Sequence, residues 1–307
     1  MITLGRPVAV GITGGPSDYA LALEYAAAAA RRRGVGVRVV HGCEPFHRLP
    51  RLEDPEVDQR NLRQGHQQAR IAARRLRDLL PAGREVSVST PPGSGPEALV
   101  EESAQACLVV LQRRDLSALG RISAGSTTSA VAAQAACPVV AVRPGAVGGA
   151  GGVVVGVDAA GHAGTALAAA FAEADALHCG IVAVHAWQWQ DTAFQLGYAP
   201  TDPDEIDQAE RTHRERLAEL VAPYADRHPT VPVELSVVAG PVPSALVGAA
   251  AGARLLVVSR HKPAAKPRGL GSIARRCLNE APCPVMVVAG SRPTPRPIDD
   301  PVRAAVE

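Results

Sequence analysis

The sequence predicts an α/β protein built as two doubly wound, five-stranded parallel-sheet domains in tandem. Three observations carry that expectation. There is a repeat with a period near 145 residues, short apolar runs alternate with longer helical patterns inside each repeat, and a glycine-rich break separates the halves. Val8-Ala9-Val10-Gly11-Ile12-Thr13 matches Val153-Val154-Val155-Gly156-Val157-Asp158 at an offset of 145, and Val39-Val40-His41 matches Ala183-Val184-His185 at 144. Gly125-Ser126 matches Gly271-Ser272, and Cys137-Pro138-Val139-Val140 matches Cys283-Pro284-Val285-Met286, both at 146. Four anchors in the same order at a nearly constant offset mark a duplication.

Within each copy, short runs of Val, Ile and Leu without polar alternation are what parallel strands covered on both faces by crossover helices require. In the first copy such strands are expected near 7–12, 35–40, 85–89, 108–111 and 139–142. The first helix is expected to open at Ser17 or Asp18, both favoured N-caps, and to close with Arg31-Arg32-Arg33 before Gly34. Cations suit that end of the helix dipole, and glycine suits the C′ position. Long polar helices are expected near 54–80 and 203–222, and Pro96 and Pro243 stand where a third helix would begin, at a position that tolerates a missing N–H. The second copy repeats the strands near 153–157, 181–185, 233–238, 255–258 and 285–288. The expected division is 1–143 for the first domain, 144–152 for the linker, 153–290 for the second domain and 291–307 for a Pro-rich, flexible tail.

Composition narrows the function classes. The 32 basic and 30 acidic residues give a formal charge of +2, so no net field favours nucleic acid or an anionic membrane. Six cysteines, at 43, 107, 137, 179, 277 and 283, show neither a CxxC pair nor metal-type spacing, and read as reduced thiols, mostly buried. The chain enters Val8-Ala9-Val10 without the signature of a signal peptide, and the nearly uncharged, Gly-rich stretch from Pro144 to Val157 is too short to span a bilayer. A cytoplasmic protein is expected.

The Val-Val-Gly-Val-Asp start at 154–158, the Val-Val-His and Ala-Val-His strand ends, and the run from Leu255 through Gly271-Ser272 to Ala281-Pro282-Cys283-Pro284-Val285 together resemble the universal stress protein family in its tandem form. The resemblance covers about 8–290. It implies Rossmann-like domains whose fifth strands, 138–142 and 284–288, pair antiparallel and make the chain an intramolecular pseudo-dimer. It also implies an adenine-nucleotide site beyond the C-terminal strand ends, for ATP with Mg2+. Carried over residue by residue, that site falls in the second copy on Asp158 at the end of the first strand, on Val184 at the adenine edge, and on Arg260, Gly271, Ser272 and Ile273 around the phosphates. The family's phosphate motif places two further glycines on Val258 and His261, and neither is glycine here. A β-branched valine resists both the positive φ and the close amide approach that phosphate needs. Arg260, His261, Lys262, Lys266 and Arg268 supply cations in the same loop, which reads either as a substitute for the lost amides or as a solvated basic loop. Thr13 stands where Asp158 does, and both early glycines are missing in the first copy, so that copy is expected to be degenerate.

Other constellations carry less. His41 and His185 are duplicates of one strand-end residue without further ligands at metal spacing. The turn Thr13-Gly14-Gly15-Pro16-Ser17-Asp18 has only a superficial likeness to the pyrophosphate loop of adenylating enzymes, and the second copy lacks it. Trp187, Trp189, Phe194 and Tyr198 cluster after the second strand of copy two, either to pack on the next helix or to cover the adenine side. The series Arg63, Arg70, Arg74, Arg77 is either a solvated face or a partner site. Two functions stay open. One is a stress-response regulator that binds an adenine nucleotide in its second domain, without a catalytic residue set and with any ATP hydrolysis incidental. The other is an interaction module that binds no nucleotide and docks unidentified protein partners, with a homo-oligomer left open.

Overall fold

The computed structural model describes residues 5–43, 55–113, 127–145, 149–158, 163–188, 203–260 and 269–290. The first copy runs β1 (Val8–Gly11), a 3-10 turn (Pro16–Asp18), α1 (Ala20–Arg33), β2 (Val37–Val40), α2 (Pro55–Leu79), β3 (Val86–Ser89), α3 (Gly95–Glu102), β4 (Leu108–Gln112), α4 (Thr127–Gln134) and β5 (Val139–Val142). The second runs β6 (Val153–Gly156), α5 (Gly164–Leu177), β7 (Ile181–Trp187), α6 (Pro203–Ala225), β8 (Val233–Ala239), α7 (Val242–Ala249), β9 (Leu255–Arg260), α8 (Ser272–Glu280) and β10 (Val285–Ala289).

All ten strands form one sheet in the order β3-β2-β1-β4-β5-β10-β9-β6-β7-β8. The order reads the same from either end, so each copy has the doubly wound 3-2-1-4-5 arrangement and a pseudo-two-fold axis passes between β5 and β10. Those two strands pair antiparallel, with Met286 opposite Val140, while every other junction is parallel. The expected pseudo-dimer is therefore present, and it covers what would otherwise be two open apolar edges.

The apolar runs form strands because both sides of the sheet are covered. One core cluster joins α1, α2, α5 and α6 to one face through Ala26, Ala72, Leu76, Phe171, Leu217 and Val221. The other joins α3, α4, α7 and α8 to the opposite face through Leu99, Val131, Leu246 and Cys277. The alanines of α1, at 22, 26, 29 and 30, are fully buried, and their small side chains let the helix axis lie close to the sheet. Gly34 ends that helix at φ 68°, as expected for a C-terminal glycine, and Arg31 donates to the Leu79 carbonyl at the end of α2.

The start of α1 differs from the sequence expectation. Asp18 does not cap it, because its carboxylate accepts the Gly15 N–H at 2.9 Å and closes the 3-10 turn. The cap comes from another strand, where Gln112 Oε1 accepts the Leu21 N–H at 2.9 Å. Pro96 and Pro243 lie in the first turns of α3 and α7 as expected, and Ser94 forms a capping box with Glu97.

Across the seam, Arg33 of α1 forms an ion pair with Glu173 of α5, whose side chain is only 6% exposed. A buried carboxylate demands such a partner. All six cysteines are free, and burial pushes the thiols of Cys137 and Cys283 up to about 11 and that of Cys277 to about 12, in keeping with inert packing groups. Among the described residues no helix is long and apolar enough to cross a membrane.

Candidate functional site

In a doubly wound sheet, ligands gather beyond the carboxyl ends of the strands where the strand order reverses, because helices leave to opposite faces there and open a crevice. In the second copy that point lies between β6 and β9. β6 is flanked by β7 on its other side, α5 goes to one face after β6, and α8 goes to the other after β9. Asp158, Gly271 and Ser272 all sit at this edge of the sheet.

Asp158 is exposed, two residues beyond the end of β6. Its predecessor Val157 is held on both sides of its peptide, with N–H donated to the Val184 carbonyl at 2.9 Å and C=O accepting from His185 Nδ1 at 3.1 Å. Gly271 is the buried N-cap of α8, in extended conformation at ψ 154°, with Ser272 and Ile273 exposed in the first turn. No side chain among the described residues caps this helix, so its first-turn amides are the orphan donors that a helix start leaves for an anion.

Two expected site residues are engaged within the protein. Arg260 ends β9, but its guanidinium turns across the seam and donates to the carbonyls of Ala132 at 3.2 Å and Ala135 at 2.8 Å, at the C-terminal end of α4. A cation is well placed against those unsatisfied carbonyls, and burial lowers the Arg260 pKa from its ordinary value. In this structure the Arg260 guanidinium is therefore engaged by α4. Val184 is not at a strand end either, because β7 continues three residues further to Trp187, paired along its length with β8. Its carbonyl is spent on Val157, and its side chain is 1% exposed. Val258 likewise lies inside β9, opposite Val287. Without the glycine, the strand runs on to Arg260 where the motif would turn into a loop. His261, Lys262, Lys266 and Arg268 lie outside the described residues.

The first copy's crevice, between β1 and β4, is bridged by a side chain of the protein itself. Gln112 Oε1 accepts from Leu21, and its Nε2 donates to the Ser17 carbonyl at 2.9 Å, so one amide spans from β4 to the start of α1. The registers Val8 with Leu108 and Val153 with Leu255 make Ser259 the counterpart of Gln112. A serine is too short to span the same space. The sequence signal for this difference is a glutamine, whose polar end lies two carbon–carbon bonds further out than serine's, at the end of the apolar run Leu108 to Leu111. Gly125 and Ser126 lie outside the described residues.

The duplicated histidines are structural in both copies. His41 Nδ1 contacts the Ile12 carbonyl at 3.0 Å, as His185 does that of Val157. Their surroundings differ. Over His41 the helix carries Gly65, where an added Cβ would come within 2.8 Å of the ring. Over His185 it carries His213, whose Nδ1 lies 3.1 Å from His185 Nε2 and whose ring stacks on Trp187 at 4.8 Å between centroids. Trp187 thus packs on the helix that follows it, while Trp189, Phe194 and Tyr198 fall outside the described residues. Among the described residues no group of three or more potential metal ligands occurs.

The family model described as "Universal stress protein family" matches the chain twice, over residues 5–143 and 151–289. Among curated relatives, two universal stress proteins of Mycobacterium tuberculosis strain H37Rv are similar over nearly their whole length. One is 28% identical over 302 residues, covering 91% of this chain and 94% of its own. The other is 29% identical over 307 residues, covering 92% and 97%. Among solved structures, a universal stress protein from Archaeoglobus fulgidus superposes with a TM-score of 0.70 at 15% identity, covering 94% of this chain and 98% of that one. A functionally unknown protein from Pseudomonas aeruginosa gives 0.58 at 18% identity, covering 93% and 92%. At those identities the solved structures speak for the fold alone.

Proposed function

The chain belongs to the universal stress protein family, carrying two copies of its domain, and on that premise we propose that it is a cytoplasmic stress-response regulator whose second copy, 153–290, binds an adenine nucleotide. The observation that carries this reading is the coincidence, at the β6/β9 switch point, of exposed Asp158 with the uncapped N-terminus of α8 at Gly271. In this reading the amides of Ser272 and Ile273 and the Ser272 hydroxyl hold phosphate, as helix starts do. Asp158 takes a ribose hydroxyl or a Mg2+ ion that accompanies ATP. The nucleotide supplies a phosphate charge to be sensed, and the protein's part is binding and orientation rather than turnover.

A second reading is favoured by Val258 and Arg260. Val258 continues the β9 ladder and Arg260 is committed to α4, so the phosphates would have few contacts beyond one helix start. On that reading the chain docks partners without nucleotide. Titration calorimetry with ATP separates the two. Gly271→Val combined with Ser272→Ala should abolish binding under the first reading, and the wild type should show none under the second.

A further inference from the structure

Residues at i, i+2 and i+4 of a strand share a face, so His185 and Trp187 of β7 continue the side on which Ile181 and Ala183 enter the core. Leu217 and Val221 of α6 cover that apolar stretch. His213 stands one helical turn before Leu217, which brings it over the last part of the strand, where it meets both His185 and Trp187. His185 is 7% exposed and Trp187 6%, while His213 is half-buried. In the first copy the helix above His41 carries Gly65 at the matching place, which has no ring to offer.

The ring nitrogens are assigned by what faces them. The Val157 carbonyl, 3.1 Å from His185 Nδ1, can only accept, so the proton is on Nδ1 and the Nε2 lone pair faces His213 Nδ1 at 3.1 Å. Metal-bound histidines are held in this way, with the other ring N–H given to a carbonyl or carboxylate. At metal–nitrogen bonds of about 2.0–2.1 Å, two imidazole nitrogens on one ion stand about 2.9–3.4 Å apart, between a right angle and a tetrahedral one. The observed spacing falls inside that range. We propose that His185 Nε2 and His213 Nδ1 chelate a divalent transition-metal ion. Neutral imidazole donors favour Cu2+, Ni2+ and Zn2+ over the hard ions Mg2+ and Ca2+, which take oxygen. When the ion enters, His213 carries its proton on Nε2 instead of Nδ1, so the ring stays neutral and the ion takes the place of the shared hydrogen. Burial, and then His185, hold the His213 pKa below its ordinary value, so protons compete weakly for the pair at neutral pH. Two protein ligands rather than four make this an exchangeable site with water in the remaining positions, not a structural one. Trp187, stacked on His213 with centroids 4.8 Å apart, fixes the ring plane and places a fluorophore beside the ion.

The test uses the full chain without an affinity tag, stripped with a chelator and titrated with NiCl2 at about pH 7.5 while tryptophan emission is followed, with ZnCl2 calorimetry alongside and no nucleotide present. Saturable quenching should show one ion per chain. His213→Phe keeps a ring against Trp187, and His185→Asn keeps an N–H for the Val157 carbonyl. Each should weaken binding at least tenfold while circular dichroism stays that of the folded wild type. Should His185→Asn not fold, His213→Phe at the half-buried position decides alone. His66→Ala, which removes an exposed histidine of the first copy, should leave the titration unchanged, and MgCl2 should not quench. No saturable signal from Ni2+ and no heat from Zn2+ up to about 1 mM overturns the proposal and leaves the two rings as a hydrogen-bonded pair. Binding that survives both substitutions overturns it too, by placing the ion on other side chains.

Discussion

Gln112 at the end of β4 accepts the Leu21 amide at 2.9 Å, and by doing so it caps α1 and bridges the crevice of the first copy with a protein side chain. The two copies share a fold, but only the second leaves its switch point to a residue as short as Ser259. Gln112→Ala should therefore remove a helix cap and cost about 1 kcal/mol in urea-induced unfolding. It should leave nucleotide stoichiometry unchanged, because Thr13 and the remaining walls of that crevice offer no replacement for Asp158.

Arg260 joins the copies through the α4 carbonyls. Arg260→Met keeps much of the apolar stem and removes the two hydrogen bonds, and should lower stability by about 1.5 kcal/mol, the low end for bonds to a charged group because the side chain is part-exposed. Calorimetric ATP affinity should stay within twofold of wild type. A tenfold loss of affinity without a stability change would return Arg260 to the phosphate site.

The His185–His213 contact makes stability depend on pH. The Val157 carbonyl can only accept, so His185 carries its proton on Nδ1 and presents the Nε2 lone pair to the Nδ1–H of His213. Burial, and then the neighbouring His185, hold the His213 pKa below its ordinary value. The fold thus favours the neutral ring, and the unfolded chain takes up more protons once the pH drops below about 6.5. This contribution is fully present above that pH and is lost as the pH falls toward the lower folded value. Urea unfolding at about pH 7.5 and pH 5 should show the loss. His213→Phe, which keeps a ring on Trp187, should show a smaller one, and an equal loss in both proteins would place the effect elsewhere.

Most strands were legible to within about two residues because parallel strands covered on both faces need uninterrupted Val and Leu, and Gly34 and Pro96 punctuate the helices for reasons local to the chain. The antiparallel pairing of β5 with β10 is what the family resemblance implied for two copies of one edge strand on one chain. What could not be read were contacts made at long separation. The cap on α1 comes from Gln112, 91 residues away, and the partner of Arg260 lies 125 residues away in the other copy. Counting along the family motif placed Arg260 and Val258 in a phosphate loop, but a side chain's direction is set by what its neighbours leave unsatisfied. The ends of α4 and β10 decided both. Gly271 and Ser272 kept their expected place at a helix start because that role is local.

The account's central claim is that an adenine nucleotide binds in the second copy alone, and equilibrium titration of the full chain with ATP, with and without Mg2+, tests it most directly. The prediction is saturable binding of one nucleotide per chain, weak because one helix start and Asp158 carry most of it, with a dissociation constant on the order of 10–500 μM. Binding should be lost in Gly271→Val with Ser272→Ala and retained in Gln112→Ala. Two nucleotides per chain, or none at millimolar ATP, would contradict it, the first by showing that Gln112 does not close the first crevice and the second by leaving docking as the protein's function.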